Sequence, residues 1–163
     1  MQPFFIIAVA AGTAYLVHLL RTAKSANSLR YHLQRIQIYK FKLTEPIVFR
    51  VWIEFVNLEN APINVNQLYL DIYLNISGSK HRIGTLNAAN ISIPSNQTIE
   101  KSFDISVPWK NLGVGLLSIL TNFATTRQWN FPDKAIVEGQ LKASGLSIPI
   151  NVEVPFNSTP IEN

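Results

Sequence analysis

The sequence predicts an all-β fold: an antiparallel seven-stranded sandwich with one short inserted helix, preceded by an N-terminal apolar helix. Three observations predict it. From Ile36 onward apolar and polar residues alternate with a period of two, in short runs separated by Asn-, Pro-, Gly- and Ser-rich corners. Only one stretch of the body, "NLGVGLLSILTNFATT", has helical spacing. Ahead of all this stands an apolar run, Pro3 to Leu20, whose only side chain that charges near neutral pH is His18.

That run, "PFFIIAVAAGTAYLVHLL", would form a helix about 27 Å long, close to the roughly 30 Å of a bilayer's hydrocarbon core. Its lipid- or protein-facing side chains would be Phe4, Phe5, Ile6, Ile7, Val9, Tyr15, Leu16, Val17, Leu19 and Leu20. A cleaved signal peptide normally carries Lys or Arg ahead of the apolar run, and here the cations follow it, at Arg21, Lys24 and Arg30. By the positive-inside tendency the body then lies on the cytoplasmic side of a membrane. A helix buried in the protein of a large assembly is the alternative. The chain divides accordingly: an apolar helix over 1–20, a basic tether over 21–30, a sandwich over 31–156 and a tail over 157–163.

In the body, "QIYKFKL" sets Tyr39, Phe41 and Leu43 against Lys40 and Lys42. In "IVFRVWIEFVN", Ile47, Phe49, Val51, Ile53 and Phe55 form an inward row opposite Val48, Arg50, Trp52, Glu54 and Val56. "NLENAPI" is a corner. Leu68, Leu70, Ile72 and Leu74 alternate with Tyr69, Asp71 and Tyr73, and "NISGSKHR" is a hairpin loop on Gly78. A short strand at Arg82–Leu86 is expected next, then a turn at Pro94–Asn96. Ile99, Phe103, Ile105 and Val107 line the inside of the following strand; Lys101 interrupts the row, as on a sheet edge. Leu112, Leu116, Ile119, Leu120 and Phe123 share one face of the helix, whose start Gly113 and Gly115 weaken. Two last strands, Ala135 to Ala143 and Leu146 to Val154, turn at Ser144-Gly145. Strand number and spacing suit an immunoglobulin- or fibronectin-III-like sandwich.

Composition narrows the function classes. The 163 residues contain no cysteine, which excludes disulfides, thiolate metal sites and a Cys nucleophile. The net charge of +4 belongs to one segment: Arg21, Lys24, Arg30, Arg35, Lys40 and Lys42 precede the first acid, Glu45. A nucleic-acid-binding face is therefore not expected on the body. His18, His32 and His81 have no metal-binding spacing, and no paired carboxylates or phosphate-binding loop appear. No enzymatic activity, cofactor, metal or small-molecule substrate is expected. The outward aromatics Trp52, Tyr69 and Tyr73, with Trp109, Trp129 and Phe131 around the helix, are the candidate interaction patch.

The segments "NLENAPINVNQLYLDIYLN", "IGTL", "ISIPSNQTIEKSFDISV" and "VEGQLKASGLSIPINVEVPF" together resemble the type 2 late-embryogenesis-abundant domain, the family of LEA14-like proteins and the related WHy domain. The resemblance runs from about Leu29 to Phe156; it keeps Asn57, Asn60 and Pro62 of the family's Asn-Pro corner and loses the first proline. It implies a non-enzymatic seven-stranded sandwich, often behind a membrane anchor and tied to stress or desiccation protection. Two functions compete: a membrane-tethered binding or protective module, and a structural subunit of a large assembly such as a bacteriophage virion, where residues 3–20 contact neighbouring subunits instead of lipid.

Overall fold

A computed structural model of the chain describes residues 5–10, 13–18, 29–42, 44–128 and 130–161, with backbone alone for 5–10, 13–18 and 124. At the N-terminus the backbone of β1 (Phe5–Ala10) pairs antiparallel with β2 (Thr13–His18), and Leu16 of β2 pairs with Tyr31. The apolar helix expected over 1–20 falls on this run, whose side chains and remaining positions lie outside the described residues, as do residues 21–28 of the basic tether. Among the described residues no helix is long and apolar enough to cross a membrane.

Seven strands form the body: β3 (Leu29–Lys40), β4 (Ile47–Asn57), β5 (Ile63–Ile76), β6 (Ser79–Ile93), β7 (Thr98–Val107), β8 (Lys134–Ala143) and β9 (Leu146–Asn157). A 3-10 turn (Trp109–Asn111) and one helix, α1 (Val114–Thr126), sit between β7 and β8. β4 lies between β3 and β7 in one layer; β5 and β8 form the middle of a second, ordered β6-β5-β8-β9. The expected antiparallel sandwich needs one correction. β3 and β9 pair in parallel, Ile36 with Phe156 and Gln37 with Asn157, so the sheet is mixed. The reason is strand direction: β3 and β9 run the same way, so where their C-terminal parts meet they can pair only in parallel. Opposite this seam β6 and β7 approach without a ladder, and the sheet nearly closes like a barrel.

The alternation read from the sequence is the observed burial pattern on β4 and β5, where Ile47, Phe49, Val51, Ile53, Phe55, Leu68, Leu70, Ile72 and Leu74 are all buried. β3 is subtler. Tyr31 and Leu33 point inward, then Ile36 and Ile38, so the inward row shifts from odd to even positions. Register breaks at Leu33/Arg35 and Ile38/Lys40 cause the shifts, because each extra residue in a strand turns the following side chains over. β3 also starts at Leu29, two residues inside the expected tether, because Leu29 is a buried core residue.

The expected short strand at Arg82–Leu86 is in fact the middle of β6, fifteen residues long. Asn90 adopts a left-handed conformation (φ 55°) that Asn tolerates, and the ladder to β5 continues through it. Both hairpins turn on a Ser-Gly pair with positive φ at both residues, Ser77-Gly78 and Ser144-Gly145. That geometry matches the twist of the flanking strands. The tail over 157–163 is held as far as Ile161. Gln37 Nε2 donates to the Thr159 carbonyl (2.9 Å), and the Ile161 amide donates to the Ile38 carbonyl (3.2 Å).

Two glycines are fixed by close approach. A Cβ on Gly139 of β8 would strike the Tyr69 carbonyl oxygen and lie 2.9 Å from the Leu70 Cα on β5. A Cβ on Gly84 of β6 would lie 2.8 Å from the Ile105 side chain of β7, at the seam between the layers. Gly145 has open space around it and needs only its positive φ.

One buried polar side chain organises an end of the molecule. Asn57, at the end of β4, is 0% exposed. Its Nδ2 donates to the carbonyls of Ala61 (2.9 Å), Ile93 (3.1 Å) and Pro94 (3.1 Å), one hydrogen being shared. Its Oδ1 accepts from the Glu59 amide (2.8 Å). The β4–β5 corner is thereby tied to the β6–β7 corner, and the Asn57 amide reinforces the link by donating to the Gln97 carbonyl (2.9 Å).

Chemical denaturation tests both features. Asn57→Ala is expected to lower the unfolding free energy by about 3 kcal/mol, since it orphans four buried or half-buried partners; Asn57→Asp, which keeps the shape but cannot donate, should cost a similar amount. A tolerated Asp would show that donation to the three carbonyls does not hold the corners. Gly139→Ala should cost about 3 kcal/mol through the clash with β5, against about 1 kcal/mol for Gly145→Ala, where only backbone conformation is at stake. Equal losses at the two positions would refute the close-approach account.

Candidate interaction surfaces

The structure separates the aromatics that the sequence suggests as one patch. Trp52 projects from the outer face of the β3-β4-β7 layer, and Tyr69 and Tyr73 from the outer face of the other layer. The two outer faces point away from each other, because the inward rows of β4 and β5 share one core. Trp109 and Phe131 do belong together with the helix, but as packing. Phe41 meets Trp109 and Phe123 edge-on, with ring centroids 5.5 and 5.9 Å away. Phe131 tilts onto Phe156 at 5.7 Å. The Trp109 Nε1–H donates to the Glu45 carbonyl (2.5 Å), which fixes the 3-10 turn against the β3–β4 loop. Trp129 lies outside the described residues.

On the β3-β4-β7 face, cations cover the aromatics. The Arg35 guanidinium sits 4.1 Å over the Trp52 ring, leaving Trp52 only 8% exposed. The Arg50 guanidinium lies 3.5 Å over Tyr39 and forms a two-pronged ion pair with Asp104 across the β4–β7 ladder. Its hydrogen bonds to Asp104 hold Arg50 still more firmly in the charged form. His32 faces Glu54 on this layer; partial burial pulls its pKa below the usual histidine value, and the Glu54 charge opposes that. At the loop after β3, the Glu45 carboxyl sits below its ordinary range, chiefly through a hydrogen bond from Lys40.

The other face is a network around Asp71, which accepts hydrogen bonds from Thr85 (2.5 Å) and Tyr69 (3.2 Å). Next to it Lys80 pairs with Glu138 and lies 4.2 Å over the Tyr73 ring. Tyr69 and Tyr73 are half-exposed and stay available for contact, whereas Trp52 does not. Sequence reading did not pair these groups, because Arg35 and Trp52, Arg50 and Asp104, and Asp71 and Thr85 become neighbours only once the strand register is known.

Two shallow clefts lie among the described residues. One of about 210 Å³ runs along the β6–β7 seam between Arg82, Thr85, Ser106 and Asn111; one of about 340 Å³ borders the Ser144-Gly145 turn beside Asn66 and Lys142. Their linings offer hydrogen bonds but no carboxylate, histidine or cysteine. Among the described residues no three His, Cys, Asp or Glu side chains gather as a metal-binding group. His81, expected within the "NISGSKHR" hairpin loop, instead lies on β6 and packs on the start of α1: a Cβ on Gly115 would lie 3.0 Å from its Nε2. Gly115, one of the two glycines that weaken the helix start, makes room for this ring.

No family model matches the chain, and no curated protein matches it. Solved structures with similar chain paths include a protein from Archaeoglobus fulgidus, with TM-score 0.44, 8% identity, 77% of this chain and 90% of that one covered. An Arabidopsis thaliana protein solved in solution has TM-score 0.44 and 10% identity over 78% of this chain and 81% of its own. ApaA from Bordetella pertussis has TM-score 0.43 and 9% identity over 80% of this chain and 94% of its own. Similarity at this level carries no function across to the present chain.

The His32 environment makes stability pH-dependent with a defined sign. Its folded-state pKa is lowered, so the unfolded chain takes up the proton first as pH falls. The contribution is fully present above the ordinary value of 6.5 and declines as pH falls from there toward the lowered folded pKa. Urea midpoints measured at neutral pH and about one unit below 6.5 should differ more for the wild type than for His32→Gln. An identical pH response in the two proteins would rule out His32 as the source.

Proposed function

We propose that this chain is a non-enzymatic binding or protective module, a fibronectin-III-like sandwich carried behind an N-terminal apolar segment that anchors it to a membrane. The sandwich then lies on the cytoplasmic side, in keeping with the cations that follow residue 20. The observation that carries the reading is the disposition of the two ends. Leu29, the first residue of the body, pairs with Asn57 at the end closed by the Asn57 corners, while β7 delivers α1 at the opposite end, where Val107 pairs with Ile47. Strands of eleven or twelve residues put about 35 Å between those ends. A body held at Leu29 thus offers its far end, with α1 and the Ser77-Gly78 hairpin, to whatever it meets.

The resemblance to the type 2 late-embryogenesis-abundant domain supports the same reading. Asn57 and Asn60, which it retains, are structural here: Asn60 Oδ1 accepts from Asn96 Nδ2 (2.8 Å) across the two corners that Asn57 ties. A second reading, a subunit of a large assembly such as a virion, draws on the half-exposed Tyr69 and Tyr73.

Fractionation of cells making the full-length chain separates the two. The tethered module is expected in the membrane pellet, resistant to alkaline carbonate and released by detergent. Recovery in a large lipid-free particle would replace it with the assembly reading, and recovery as a soluble monomer would overturn both.

A further inference from the structure

We propose that the outer face of α1 docks on an anionic lipid bilayer surface. This stands on the helix alone and goes beyond the anchoring role given to residues 3–20, which it does not require. α1 buries Leu116, Ile119 and Leu120 against the body and presents Val114, Leu117, Ser118, Thr121 and Thr125 outward. Val114 is 84% exposed and Leu117 37%. From Asn111 to Thr126 the chain carries no charged residue, although this is the surface of the molecule.

The exposed hydroxyls do not make the face polar in the ordinary way, because each is folded back onto the helix. Ser118 Oγ donates to the Gly115 carbonyl (2.9 Å) and Thr121 Oγ1 to the Leu117 carbonyl (2.8 Å). Thr125 and Thr126 both donate to the Asn122 carbonyl, at 3.0 and 2.7 Å. Their methyl groups and the side chains of Val114 and Leu117 remain as the outward surface. Such a face can leave water without orphaning its hydroxyl donors, which is what apolar lipid demands.

Charge selects the occupant. Lys110 stands just before the helix and Arg127, 5.8 Å from the Phe123 ring, just after it; both are exposed, and neither takes part in an ion pair among the described residues. An uncharged, weakly polar face bracketed by cations matches a bilayer interface, with the face at the acyl boundary and the cations among the phosphates. A protein partner is less well served. Protein interfaces exchange roughly one hydrogen bond per 100–200 Å², and among the helix's own polar side chains only Asn122 is not turned back onto the backbone in this way. Attached at Leu29 and docked at α1, a tethered chain would contact lipid at both ends.

The chain has no cysteine, so one dye can be placed at will. Full-length Val114→Cys labelled with an environment-sensitive nitrobenzoxadiazole is mixed with phosphatidylcholine vesicles, with or without phosphatidylglycerol. The control carries the dye at Asn151→Cys, an exposed position on β9. Emission at 114 is expected to shift to the blue and rise about threefold on anionic vesicles. It should fall back at about 0.5 M salt and in the Lys110→Glu/Arg127→Glu variant, while the dye at 151 stays in water. Any of these results would overturn the proposal: co-flotation with vesicles while the 114 dye is silent, an equal response to neutral vesicles, or a blue shift without lipid accompanied by a doubled mass, which would assign the face to a second copy. The first leaves the N-terminal anchor standing; a chain that neither floats nor responds removes both.

Discussion

The amide of Asn57 is the interaction on which the architecture depends. A sandwich must bring corners from different strand pairs together at its ends, and those corners carry carbonyls and amides that no ladder satisfies. Placing a fully buried carboxamide among them meets four such groups at once, three carbonyls and one amide. No apolar residue could do this, and a charged one would bring a desolvation penalty in the same place. The β4–β5 and β6–β7 corners are therefore one unit, and the relative position of the layers follows from it.

At the other end of the strands aromatic packing does the equivalent work. Phe41, Trp109, Phe123, Phe131 and Phe156 fill the space between the ends of β3 and β9 and the base of α1. Along the sides, closure is limited by how near backbones can come. Gly139 admits β5 to β8, and Gly84 admits β7 to β6 where hydrogen bonding stops. The outer faces are finished by cross-strand pairs, Arg50 with Asp104 and Lys80 with Glu138, and by Arg35 on Trp52. Satisfied in this way, those faces differ from the outer face of α1, which carries no charge and has its hydroxyls turned back onto the helix.

The legible part of the fold was the part governed by local rules. Alternation on β4, β5 and β9, the two Ser-Gly turns and the inward face of α1 follow from side-chain period and backbone preference within a few residues. Where a strand carries an extra residue the same rule misleads. The register breaks in β3 turn its inward row over twice, and β6 runs on through a left-handed Asn90 well past the short strand expected at Arg82–Leu86. The tail past Asn157 looks free in sequence because its partners, Gln37 and Ile38, lie on the first strand of the body.

The candidate site divides along the same line. Which residues are aromatic, which are charged and that α1 lacks charge altogether are properties of the sequence itself, and so are the absence of cysteine and the apolar run at 3–20. Whether an outward aromatic is available was decided only in three dimensions: Trp52 is covered by Arg35 from a neighbouring strand, Trp109 is spent on Glu45 and Phe41, and Tyr69 and Tyr73 remain half-exposed on the opposite layer. Alternation fixes the face of a strand that a side chain takes, a property of one residue and its immediate neighbours. Long-range pairing fixes what lies across that face, and that depends on residues far away in the chain.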